Sequence, residues 1–99
     1  MNVLVTAAAS AKAHKIKAQL SNDRVILGDY HQLPAFLLKS GNLIQLPDPS
    51  SHAYAHQMLT LCLDQGVEAI YVLEDMEYAA LAEALQLFTE YGIEIIATE

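Results

Sequence analysis

Apolar runs and amphipathic stretches alternate along the chain. Five runs have the length of short strands: Asn2 to Thr6, Arg24 to Asp29, Asn42 to Leu46, Glu68 to Leu73 and Ile93 to Thr98. Val3-Leu4-Val5, Val25-Ile26-Leu27, Ile70-Tyr71-Val72-Leu73 and Ile93-Glu94-Ile95-Ile96 are mostly continuous rather than alternating. That is the pattern of strands covered on both faces, and strands separated by helices predict a parallel α/β sheet.

The intervening helices carry readable ends. Helix one is predicted from Ala9 or Ser10 to Leu20, with Ile16 and Leu20 facing inward. Ser50 or Ser51 is expected to cap a helix that runs through Gln65 and stops at Gly66, with Ala55, Met58, Leu59, Cys62 and Leu63 on its buried face. Asp75 is expected to cap the last helix, continuous to Tyr91 and ended by Gly92, with Leu81, Leu85 and Phe88 at core spacing. The stretch "LPAFLLKSG" has room for a short helix, with Pro34 in its first turn and Gly41 as terminator. Right-handed crossovers and one reversal of winding then give a three-layer, Rossmann-like open sheet of five strands in the order 3-2-1-4-5.

Composition bounds the rest. Ninety-nine residues, 54% hydrophobic and 17% charged, fit a single domain spanning 1–99. No basic leader, cleavage site or apolar run near the roughly 20 residues of a bilayer span is visible, so a soluble, cytoplasmic protein is expected. The lone Cys62 cannot form an internal disulfide or assemble a zinc site, and is expected in the core. A net charge of −7 argues against nucleic acid as a partner. The charge is also divided: Lys12, Lys15, Lys17, Arg24 and Lys39 are the five bases, whereas Ser51 to Glu99 holds nine acids and no Lys or Arg. Such a half is either a solvated face or one side of a complementary contact, between two copies or with a basic partner domain.

In an open α/β sheet ligands bind beyond the carboxyl ends of the strands, at the switch point. Those ends deliver Thr6, Ala7, Ala8 and Ser10, then Asp29 with Tyr30 and His31, then Glu74 with Asp75. With Lys12, His14 and Lys15 close by, the start of the first helix suits a small anionic ligand. The loop Thr6-Ala7-Ala8-Ala9-Ser10 lacks the glycines that let backbone approach a pyrophosphate, which disfavours a dinucleotide. Asp29 has the spacing of a ribose-binding acid, but without the glycines that accompany such an acid the reading favoured is one that caps the strand end and its turn. Glu74 and Asp75 adjoin in sequence but should diverge in space, so they make a poor acid/base pair. His52 and His56 are weak metal candidates, four residues apart with no third ligand to be placed. Ser10, Ser40 and Cys62 have no assignable base, and no catalytic constellation emerges.

The ordered segments resemble the domain that precedes ATP-grasp domains in carbamoyl-phosphate-synthase-like and biotin-carboxylase-like ligases. "NVLVTAAAS" stands where that family has a strand and a Gly-rich turn, and "VILGDY" where a strand ends in Gly-Asp. "LPDPSSHAYAHQMLTLCLDQGVEAIYVLED" matches its Leu-Pro, linker, helix and strand, and "EYGIEIIATE" its final Gly-Ile-x-Ile strand. The resemblance covers nearly the whole chain. It implies a module without catalysis of its own, with no cofactor, since ATP and magnesium would be held by an ATP-grasp domain absent from these residues. The implied partners are such a domain or further copies of this chain. Thr6 to Ser10, Asp29 and Glu74 are the implied contacts to a small substrate or nucleotide.

Overall fold

The computed structural model describes residues 2–8, 10–20, 23–31 and 43–97. Their elements follow the order β1 (Asn2–Val5), α1 (Ala11–Gln19), β2 (Arg24–Asp29), β3 (Leu43–Gln45), α2 (Tyr54–Gln65), β4 (Ala69–Val72), α3 (Asp75–Ala82), α4 (Leu85–Glu90) and β5 (Glu94–Ala97). All five strands join one parallel sheet in the order β3-β2-β1-β4-β5. The predicted architecture is therefore the one observed. The chain begins at the sheet's centre, where Val3 faces Val25 of β2 on one side and Ala69 of β4 on the other.

Each strand sends alternate side chains to opposite faces, and the two faces make two cores. Leu4, Ile26, Ile70 and Val72 pack with Tyr54, Met58 and Cys62 of α2, Leu81 of α3 and Phe88 of α4. Val3, Val5, Leu27 and Ala69 pack with Ala8 and with Ala13 of α1 on the other side. Burial holds the Cys62 thiol up to about 12, consistent with an inert core residue.

The helix ends show where local signals prevailed and where packing did. The first helix, expected from Ala9 or Ser10, starts at Ala11 with Ser10 as its cap, the Ser10 Oγ accepting from the Ala13 amide at 3.2 Å. Gly66 ends α2 in the left-handed conformation at φ 68°, and Gly92 follows α4 at φ 76°. The predicted Ser50 or Ser51 cap is corrected: α2 starts at Tyr54, and Asp48, Ser50 and Ser51 spend their side chains on the preceding turns. Glu74, not Asp75, holds the capping position of α3, and Asp75 lies in the first turn. The last helix is interrupted at Glu83 and Ala84. This break lets Leu81 and Phe88 both reach the core at 0% exposure, while Leu85 turns outward at 43%. Leu63 likewise sits at the margin of its helical stripe and is 48% exposed. The expected helix in "LPAFLLKSG", and the outer ends of the third and fifth strands at Asn42 and Thr98, lie outside the described residues.

Candidate functional site

The carboxyl ends of β1, β2 and β4 meet the start of α3. β1 ends in Thr6, which is fully buried; its amide donates to the Tyr71 carbonyl at 3.0 Å and its Oγ1 accepts from the Leu73 amide at 3.0 Å. Thr6 thereby ties the central strand to the turn that carries Glu74. β2 ends in Asp29, only 2% exposed, whose Oδ1 accepts from the His31 amide at 3.0 Å and lies 2.8 Å from His31 Nδ1. Asp29 thus organises its own turn, and its carboxylate holds the exposed His31 above the usual histidine range.

Around this turn the site is acidic and aromatic. Tyr30 stacks on His31 with ring centroids 4.2 Å apart, and its phenol is pushed up to about 12, chiefly through hydrogen bonding to Glu74. Gln45 of β3 spans the rim: its Nε2 reaches the carbonyls of Asp29, Tyr30 and His31 at 3.0 to 3.1 Å. Beneath lies Glu77 of α3, 0% exposed. Burial pushes its carboxyl up to about 7, and the charges of Glu74 and Asp29 add to the rise. Its Oε2 accepts from the Tyr54 phenol at 3.1 Å, whose own ionisation is strongly suppressed by burial. The Thr6 hydroxyl lies near enough to counter part of the rise on Glu77, yet Oε1 closes no hydrogen bond among the described residues.

The first loop is closed differently from a phosphate cradle. Ala7 takes φ 54°, a conformation usually left to glycine, and Ala7 and Ala8 are both buried. The Ala8 amide donates to the Gly28 carbonyl at 3.0 Å, the Ser10 amide to the Ala7 carbonyl at 2.9 Å, and Ser10 Oγ to the same Ala7 carbonyl at 2.8 Å. These amides are therefore committed within the protein. Lys12 lies with Lys15, Ile16, Leu20 and Tyr71 along a groove between α1 and β4.

Of the sequence candidates, Asp29, His31, Glu74 and Thr6 belong to one neighbourhood, whereas Lys12 belongs with the groove. Sequence reasoning placed Tyr30 at the end of β2 without assigning it a role, and it missed Glu77, Tyr54 and Gln45. A partial signal existed for Glu77, two residues after the first-turn Asp75 and on the same side of the helix as core position Leu81. His52 lies in the turn before α2 and His56 within it; both are exposed and line one surface groove. Among the described residues no group of three His, Cys, Asp or Glu side chains could hold a metal ion. Nor, among them, is any helix long and apolar enough to cross a membrane.

A family model described as PylC-like, N-terminal domain, matches residues 3–96. Among solved structures, L-threonine 3-dehydrogenase from Trypanosoma brucei aligns with 96% of this chain at a TM-score of 0.62 and 19% identity. The aligned part is 35% of that enzyme's chain, and the likeness is one of Rossmann-like fold. No curated protein matches the sequence.

Proposed function

Because this chain belongs to the PylC-like N-terminal domain family, a pre-ATP-grasp type of Rossmann-like domain, we propose that it is a non-catalytic module that lends its strand-end crevice to an ATP-dependent ligase. The 99 residues hold this domain and no ATP-grasp domain. In this reading ATP and magnesium are bound by a partner ATP-grasp domain, of the kind found in cytoplasmic carbamoyl-phosphate-synthase-like and biotin-carboxylase-like ligases. The domain itself contributes Asp29, His31 and Glu74 to the recognition of a small substrate. Thr6, Ala7, Ala8 and Ser10 shape the floor of that crevice.

The observation that carries the reading is the gathering of Asp29, Glu74 and Glu77 at the switch point, where the charges acting on Glu77 and His31 are carboxylates. Such a field favours a cationic group, so an amine-bearing substrate fits better than a phosphate. The committed amides of Ala8 and Ser10 point the same way, and they weigh against the anionic ligand that the start of the first helix suggests. Thermal shift with monoamino acids, diamino acids, ATP with magnesium, ADP and NAD tests it. A diamino acid present at about 100 times its dissociation constant should add about 2.7 kcal/mol of stability, and Asp29→Asn with Glu74→Gln should abolish the gain. Stabilisation by a nucleotide and none by amines would instead favour a nucleotide-binding Rossmann-like protein.

A further inference from the structure

Among the described residues the two faces of the sheet are covered unequally. Ile70 and Val72 are buried under α2, α3 and α4. On the opposite face α1 is the only helix among the described residues, and Tyr71, Leu73 and Ile96 remain half-buried. Between α1 and β4 lies a groove of about 640 Å³, with Ile16, Leu20 and Tyr71 along it and Lys12 and Lys15 at its margin. A parallel sheet is ordinarily covered on both faces, so this groove has the chemistry of an interface: apolar within, cationic at the edge.

We propose that a second copy of this chain fills the groove with the outer surface of its α3 and α4. That surface carries the complementary chemistry. Asp75, Tyr78 and Ala82 lie at i, i+3 and i+7 on α3, all exposed, and Leu85 follows beside Glu83. Tyr78 and Leu85 are 38% and 43% exposed, and the 51–99 half that contains them has no Lys or Arg. Because α1 and the α3–α4 pair cover opposite faces of one sheet, groove and helices cannot meet within a molecule. Each copy offers its groove to one neighbour and its helices to another, so the contact is head-to-tail. A symmetric pairing through two α1 grooves would set lysines against lysines. The inference concerns a face distinct from the Asp29 crevice and does not depend on the proposed substrate.

Sedimentation velocity over a concentration series tests it, with circular dichroism melts verifying that the variants fold. Lys12→Glu with Lys15→Glu disables the groove, and Tyr78→Ser with Leu85→Ser disables the helices; all four positions lie at the surface or its margin. The wild type should grow in size with concentration at 0.05 M salt and shrink at 0.5 M, as screening shortens the reach of charges to roughly 3–10 Å over about 0.1–1 M ionic strength. Each double variant alone should be monomeric, and their equimolar mixture should form a one-to-one heterodimer, since one retains the groove and the other the helices. A wild type that stays monomeric up to about 1 mM overturns the proposal. So does a mixture that remains monomeric, or a helix variant that still self-associates.

Discussion

Tyr54 donates its phenolic hydrogen to Glu77 Oε2 at 3.1 Å, joining α2 to α3 where both side chains are essentially shielded from solvent. The bond spares Glu77 part of the cost of burial, but Oε1 remains unpaired among the described residues. With its carboxyl pushed from an ordinary value of 4.5 up to about 7, Glu77 is protonated in the folded chain over a range where the unfolded chain has already ionised. The folded state therefore binds the extra proton, and stability falls as pH rises from about 4.5 to about 7, then levels. Glu77→Gln should flatten that slope and leave the protein more stable at pH 8 by about 2–3 kcal/mol, measured by urea unfolding at pH 5 to 8. An unchanged slope would assign the dependence to other groups.

Tyr54→Phe removes the donor and keeps the ring. It should cost about 1–3 kcal/mol. The penalty should be larger at pH 8 than at pH 5, because an ionised carboxylate loses more with its donor than a neutral acid does. Equal penalties at the two pH values would show that the hydroxyl acts through packing alone.

The Asp29 and His31 pair gives a prediction read by NMR. His31 Nδ1 lies 2.8 Å from Asp29 Oδ1, and its pKa is held above 6.5 chiefly by that bond. Their attraction is fully present below pH 6.5 and fades as pH rises through the elevated value. Asp29→Asn should bring the His31 imidazole titration back toward 6.5, and Glu74→Gln should lower it less.

Gly28 is where β2 admits Leu46 against its backbone. A Cβ added there would meet Leu46 Cδ2 at 2.7 Å and Cγ at 2.8 Å. Gly28→Ala should destabilise by about 1–3 kcal/mol in urea denaturation. Leu46→Ala introduced into that variant should cost less than the same change in the wild type.

Ala7 tests the opposite case. At φ 54° its methyl group is held where an L-residue is strained by roughly 1–2 kcal/mol. Ala7→Gly relieves the strain, loses some apolar burial and raises unfolded-state entropy, so a net gain of no more than about 1 kcal/mol in thermal unfolding is expected.

What could be seen in the sequence is what local chemistry decides alone. Continuous apolar runs such as Val3-Leu4-Val5 marked buried strands, Ser10 and Gly66 marked helix ends, and the alternation of strand and helix marked the topology. The break at Glu83 and Ala84 left no trace, because no Gly or Pro interrupts residues 75–91 and the interruption answers to the packing of Leu81 and Phe88. Half of the crevice was visible as strand ends, namely Thr6, Asp29, His31 and Glu74. Glu77 and Tyr54 were hidden because a glutamate and a tyrosine within helical segments look like surface residues until the partner helix is in place. Gln45 gave no sign of its role either, since its contacts with the carbonyls of Asp29, Tyr30 and His31 depend on how β3 sits beside β2.

The central place of β1 shapes how the chain can fold. Val3 finds Val25 across a short crossover, but its other neighbour, Ala69, lies three times as far along the chain. Closing the longer loop costs about 1 kcal/mol more in chain entropy. It also cannot occur until β4 exists, and such non-local pairing is what slows folding. During synthesis, the first 46 residues would therefore wait with one flank of their innermost strand bare, and docking of β4 is the step that closes it.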